Sequence, residues 1–304
     1  MPAAAGTAPS LRLAELRKSF GSAVVVDGLT FSVTPGQIVG LLGPNGAGKT
    51  TTISCIAGLL RPDGGTIEIC GADAMRAGPA ARAKLALVSQ RSALYPRLDV
   101  EGNLRFYAEL SGARRAELRR AVGETIEQLR LGPLLGRWVA QLSTGQRQLA
   151  HVASAMVTRP AVLLLDEATA HLDVAARRVV HEVVRAASAG GCAVVYSSHH
   201  LDEVEELCSH VVIISQGKTI AAGEVEALVE EFGGGRVELV IDGRTVVHDS
   251  PDLRAALLAV DAVERIEATR VVRPSLEAVF MALTGERIDD EGFARSAAGS
   301  EPPG

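Results

Sequence analysis

A short aliphatic run that empties into a glycine-rich loop constrains this chain more than any other feature. Ile38-Val39-Gly40-Leu41-Leu42 is followed at once by Gly43-Pro44-Asn45-Gly46-Ala47-Gly48-Lys49-Thr50-Thr51, and a helical pattern then runs over residues 48–60. Strand, glycine loop and helix in that order form the setting in which the pattern G-x4-G-K-[ST] holds phosphates. Glycines at 43, 46 and 48 let backbone N–H groups turn inward with no Cβ in the way. The helix N-terminus adds unpaired donors and a partial positive charge. Lys49 is placed to reach the β- and γ-phosphates, and the Thr50 hydroxyl to ligate Mg²⁺. A chance match would be an ordinary strand-to-helix turn, but the ordered setting favours a nucleoside triphosphate site.

Two further runs, residues 162–165 and 193–196, are equally short and aliphatic and end in polar residues, as buried strands do. Helical patterns over residues 146–158 and 174–187 lie between and beside them, the latter with Val180, Val183 and Val184 on one side. Buried strands alternating with helices predict an α/β domain with a largely parallel sheet. Residues 11–33 alternate more and carry turn signals at Gly21 and Asp27-Gly28, so antiparallel strands are expected there. Residues 211–215 and 219–222 read as a late hairpin about Gln216-Gly217-Lys218. A boundary is expected near Gly223. Beyond it come a helix to Phe232, a break at Gly233-Gly234-Gly235, strands over 236–241 and 245–248, a helix over 252–260, a strand over 263–272 and a helix over 275–284. The domains expected are therefore 10–222 and a small α+β unit at 223–287, between a disordered start (1–9) and a disordered tail (288–304).

Composition narrows the function. The 304 residues carry 31 basic and 36 acidic side chains, a net charge of −5, which argues against broad electrostatic binding to nucleic acid. Four scattered cysteines (Cys55, Cys70, Cys192, Cys208) have neither metal-ligand spacing nor the look of a disulfide framework, and reduced thiols in a cytoplasmic protein are expected. The Ala/Pro-rich start is no signal peptide, and no apolar run approaches the roughly 18 residues that span a bilayer. Service to a membrane would have to pass through a partner.

Val162-Leu163-Leu164-Leu165-Asp166-Glu167 is a buried strand ending in two acids, at the crevice where α/β folds bind ligands. Asp166 suits Mg²⁺ or its waters, and Glu167 can polarise an attacking water. Alone, such a pair serves equally well as a helix cap. Ser143-Thr144-Gly145-Gln146 has capping-box spacing at the start of a helix. It would present Ser143 and the Gly145 N–H at a second anion-binding helix end, or simply cap the helix.

Taken together, these motifs resemble the nucleotide-binding subunit of ATP-binding-cassette (ABC) transporters over about residues 11–222. Phe20 sits where the family stacks an aromatic on adenine, and residues 43–50 are its phosphate loop. Gln90 occupies the Q-loop position, Leu142–Gln146 the signature, Asp166-Glu167 the second Walker motif, Leu172-Asp173 the D-loop and His199 the switch histidine. The resemblance implies the P-loop ABC ATPase fold, with a mainly parallel core sheet, antiparallel N-terminal strands and a helical signature subdomain. It also implies a head-to-tail dimer with ATP between the phosphate loop of one subunit and the signature of the other. Gln90 would then sense Mg²⁺ or the attacking water, His199 would contact the γ-phosphate, and Asp173 would bridge the protomers.

Four positions depart from the family pattern: Thr144 and His171 stand where glycine is common, Ala168 where proline is, and Gly102 where glutamate is. Phe20 also replaces the usual tyrosine. None removes a catalytic group, so ATP hydrolysis is expected. The ending Arg273-Pro-Ser-Leu-Glu-Ala-Val-Phe-Met-Ala-Leu-Thr-Gly285 resembles daunorubicin-resistance-type, ABC-2 exporter ATPases. So does the stretch from Arg91 to Leu110, which in that group receives a helix of the membrane subunit; Tyr95, Leu98 and Phe106 are expected to line the groove. This implies a motor on the inner face of the cell membrane, driving export of drug-like, lipid or polymer substrates. Soluble ABC ATPases of translation, repair or Fe–S assembly, and importer subunits, remain the alternatives.

Overall fold

The computed structural model describes residues 8–112, 115–170, 172–232, 235–241, 244–250, 266–272, 275–284, 286–288 and 294–296. Strands β1 (Leu11–Phe20) and β2 (Ala23–Val33) form a hairpin, and β4 (Gly64–Ile69) and β5 (Ala72–Asp73) extend it into an antiparallel sheet ordered β2-β1-β4-β5. Only one of the two expected turns is a turn. Gly21 sits between β1 and β2, but Asp27-Gly28 lies inside β2 at a register shift, where Leu16 pairs with Leu29 and Arg17 with Asp27. Gly28 takes φ +77° there, the conformation a bulge needs, and the Asp27 N–H donates to Gly217 O at 2.9 Å.

The second sheet holds β3 (Ile38–Leu42), β6 (Leu85–Val88), β7 (Val162–Asp166), β8 (Ala193–Ser197), β9 (His210–Ser215) and β10 (Lys218–Glu224), in the order β10-β9-β3-β8-β7-β6. All neighbours pair in parallel except β9 with β10. Every residue of β3, β7 and β8 is buried, as their unbroken aliphatic runs require. Side chains alternate between two cores. Val39, Leu41, Val162, Leu164, Ala193 and Val195 face α1 (Lys49–Ile56) and the antiparallel sheet, while Ile38, Leu42, Leu163, Leu165, Val194 and Tyr196 face the opposite core. That opposite core holds α3 (Val100–Leu110), α4 (Arg115–Gln128), α5 (Thr144–Met156), α6 (Val174–Ala189) and α7 (Leu201–Leu207). The short α2 (Pro79–Arg82) leads into β6. The four cysteines are free, and Cys55, Cys192 and Cys208 are buried.

The C-terminal segment joins this second core. Gly223, the expected boundary, pairs with Val211 inside β10, and helix α8 (Val225–Phe232) starts only after Glu224. Helix α9 (Leu276–Thr284) packs on α7 and α8, and Leu276, Val279 and Phe280 are fully buried in one cluster with Leu201, Val204, Val225 and Leu228. Strands β11 (Gly235–Ile241), β12 (Arg244–Ser250) and β13 (Ile266–Val272) form a separate antiparallel sheet, ordered β12-β11-β13. The helix expected over 252–260 and the start of the strand expected at 263 lie outside the described residues. Within and just before the expected tail, Ala294–Ser296 pairs antiparallel with Glu286–Ile288.

Candidate nucleotide site

Four neighbouring parallel strands end on one edge of the central sheet, and each delivers a piece of the expected site. β3 runs into the phosphate loop, β8 into Ser198-His199, β7 into Glu167 and β6 into Ser89-Gln90. The phosphate loop is packed tightly from behind. A Cβ on Gly43 would lie 2.3 Å from Ile214 O, and one on Gly48, at φ +103°, 2.7 Å from Val25 O. Gly217 N donates to Ala47 O at 3.2 Å, so the β9–β10 turn braces the loop. Lys49 is only 7 % exposed; its Nζ donates to Gly43 O at 2.6 Å and Pro44 O at 3.1 Å, holding the ammonium within the loop. Burial lowers its pKa, and the nearby Glu167 and Asp166 carboxylates act in the other direction.

Asp166 is 5 % exposed and accepts from Thr50 Oγ1 at 3.4 Å. Burial pushes its pKa up and Glu167 adds to that, while the Thr50 bond and Lys49 oppose it. A buried carboxylate beside a hydroxyl is a hard oxygen pair that a divalent cation would keep ionised, so these two side chains fit Mg²⁺. Glu167 follows with φ +50°, and its N–H donates to Ser197 O at 2.9 Å. Its carboxylate accepts from Gln90 Nε2 at 3.3 Å and lies 3.9 Å from His199 Nδ1. Gln90, Glu167 and His199 thus converge, beside Asp166, Thr50 and Lys49.

Other expected residues lie apart from that cluster. Phe20, half exposed, stands at the tip of the β1–β2 hairpin with Lys18 Nζ 5.4 Å from its ring centroid. Ser143 caps α5 in a full capping box: Gln146 N donates to Ser143 Oγ at 3.3 Å and Ser143 N to Gln146 Oε1 at 3.2 Å. Ser143 and Thr144 are exposed at that helix end, with Gly145 half-buried behind them. Asp173 caps α6 through Ala176 N at 2.8 Å, beside the 72 % exposed Val174. Ala168 is fully buried, and His171 lies outside the described residues.

Comparison with known proteins decides the family. The profile described as ABC transporter matches residues 26–170. A Nod factor export ATP-binding protein of Paraburkholderia xenovorans is 36 % identical, over 91 % of this chain and 97 % of that protein. A daunorubicin resistance ATP-binding protein of Streptomyces coeruleorubidus is 35 % identical, over 88 % of this chain and 94 % of that one. A solved ATP-binding subunit of an ABC transporter superposes with a TM-score of 0.70 at 30 % identity, covering 73 % of this chain and 93 % of that one. The chain belongs to the ABC transporter family.

As an ABC ATP-binding subunit it binds and hydrolyses ATP, and its family works as dimers with transmembrane permeases. Among the described residues no helix is long and apolar enough to cross a membrane. Sequence reasoning passed over several residues that hold this ABC site together. Arg137 donates to Gln146 Oε1 at 3.2 Å and Gln141 O at 3.0 Å, steadying the signature. Gln148, on α5, donates to Ser89 O at 3.4 Å and so ties the signature helix to the residue before Gln90. Neither has a local motif: Arg137 reaches across an irregular loop to residues four and nine positions on, and Gln148 reaches a segment 59 residues away. Trp138, the single tryptophan, is 52 % exposed, and its rarity and size were the signal available.

Proposed function

We propose that two copies of this chain join head to tail, each ATP lying between residues 43–50 of one copy and Ser143–Gln146 of the other, and that the dimer drives export through a separate ABC-2 permease. The observation that carries the reading is the placement of the two helix N-termini. α1 packs against one face of the central sheet and α5 belongs to the core on the other, so two anion-binding helix ends stand apart in one chain. A second chain supplies the missing wall. In this reading Thr50 and Asp166 hold Mg²⁺, with Gln90 at its edge, and Lys49 and the loop N–H groups hold the phosphates. Gly43, Pro44, Asn45, Gly46, Ala47, Gly48 and Thr51 form the cradle, Phe20 stacks on the base, His199 faces the γ-phosphate, and Asp173 with the exposed Val174 meets the partner. Hydrolysis per chain should rise with protein concentration until the dimer saturates. Constant specific activity from a proven monomer across that range would overturn the shared site.

The export reading rests on the relatives, whose names are those of Nod factor export and of linearmycin and daunorubicin resistance proteins. It also rests on an apolar surface. Tyr95, Leu98 and Trp138 are 48 %, 37 % and 52 % exposed, and residues 137–140 run beside 96–100 through Val100 N to Arg137 O, Val139 N to Leu98 O and the Asp99–Trp138 bridge. Phe106 is half-buried under Tyr95, ring centroids 4.6 Å apart, and supports that surface from behind. The permease would dock here, between Arg91 and Leu110, on the inner face of the membrane. Residues 223–287 would then be an accessory unit held to the motor by α8 and α9. Alanine at Tyr95, Leu98 and Trp138 together should lower transport in reconstituted vesicles by about tenfold or more while ATP affinity stays put. Export at the unsubstituted rate would reject this docking surface.

A further inference from the structure

Glu203, on α7, is 2 % exposed, yet polar side chains from three chain segments meet its carboxylate. Thr169 Oγ1 donates at 2.8 Å, Tyr196 OH at 2.5 Å and Ser198 Oγ at 3.4 Å. Arg177 Nη1 pairs with the other oxygen at 2.8 Å, and His181 Nε2 lies 3.8 Å away. Burial by itself would raise the pKa of this carboxyl, but nearby His181, the hydroxyl bonds from Tyr196 and Thr169 and the Arg177 charge outweigh it and lower the value to about 2. The group is therefore a buried anion whose Oε2 takes all three hydroxyl bonds, while Oε1 has the Arg177 charge beside it and no hydrogen bond. An apolar side chain would fill the same space without desolvating a charge, so what the carboxylate adds is geometry.

The segments it joins are those that carry the hydrolytic groups. Thr169 stands two residues beyond Glu167, Arg177 and His181 lie on the helix that Asp173 caps, and Tyr196 and Ser198 immediately precede His199. Glu167 itself is a non-glycine residue at φ +50°, a conformation that persists only where its surroundings over-determine it. We infer that Glu203 is a positioning residue for ATP hydrolysis, fixing the segment after Glu167 and the segment before His199 against each other so that the two side chains face one γ-phosphate. The inference rests on the assignments of Glu167 and His199 given above.

Full-length Glu203→Gln keeps the side-chain shape and an acceptor for Tyr196 and Thr169 but removes the counter-charge to Arg177 and brings an N–H group into a cluster of donors. Its kcat should fall about tenfold or more while KM for ATP stays within about threefold, in assays run well below its measured Tm. Thr169→Val removes one donor to Glu203 and the 2.9 Å hydroxyl contact with Tyr196 but leaves the Arg177 pairing, and its kcat should fall about threefold with KM unchanged. A folded Glu203→Gln with unaltered kcat overturns the inference, as does a loss that disappears on lowering the assay temperature. Should Glu203→Gln fail to fold, Thr169→Val decides by the same two criteria. Glu167→Gln is run alongside. Normal turnover there refutes the assignment of Glu167, whereas an inactive Glu167→Gln beside a fully active Glu203→Gln refutes only the role of Glu203.

Discussion

Glu167→Gln should lower steady-state ATP hydrolysis by about a hundredfold or more while leaving ATP bound, because general-base assistance contributes on the order of 10²–10⁴ in rate. The side chain sits at the carboxyl end of β7 with Gln90 on one oxygen and His199 near the other. Glutamine keeps the volume and can still accept from Gln90, but it cannot take a proton from water. Nothing in the phosphate loop changes, so Lys49, Thr50 and the loop N–H groups would bind nucleotide as before. The trapped species should be an ATP-bound dimer, visible as a shift to twice the mass in light scattering on addition of ATP and Mg²⁺. Undiminished hydrolysis would remove Glu167 from the mechanism, and a collapse of ATP affinity would make its role structural.

The same cluster marks how far linear reading reaches. Strands β3, β7 and β8 were legible to within a residue, because strands buried on both faces must be continuous aliphatic runs, and each ends in residues with chemistry. The phosphate loop was legible because its glycines are demanded by local backbone shape. Asp27-Gly28 misled because a bulge inside a strand uses the same residues as a turn. Glu203 could not be found in Leu201-Asp202-Glu203-Val204-Glu205-Glu206-Leu207, where four acids look like one solvated helix face. Only packing shows that one of them turns inward toward Tyr196 and Arg177 while its neighbour Glu205 accepts from Leu276 N at 3.1 Å. The apolar face of α9 was equally visible in sequence, but not the core it joins. Leu276, Val279 and Phe280 spaced along one side predict burial, and burial alone does not name the partner surface.

Lys49→Met should separate binding from folding. The ammonium is buried, and placing a charge there costs several kcal/mol, which its two charge-assisted carbonyl bonds, roughly 1.5–3 kcal/mol each, and the nearby Glu167 and Asp166 carboxylates about return. Methionine fills nearly the same volume with no charge to desolvate, so the nucleotide-free protein should melt within about 3 °C of the unsubstituted chain, a shift of under roughly 1 kcal/mol. ATP is another matter, since Lys49 is the cation held inside the loop. Loss of its contact with the phosphates should weaken ATP by about a hundredfold, and a charge-assisted pair of roughly 3 kcal/mol is the size required. At an ATP concentration 100 times the original Kd, ligand stabilisation should therefore drop from about 2.7 kcal/mol to less than about 0.5 kcal/mol. Thermal melts with and without ATP would measure both effects in one experiment. A variant that melts far lower without nucleotide would show that Lys49 is a structural strut of the loop. One that keeps its full ATP-induced shift would show that the backbone N–H groups and the helix end hold the phosphates without it.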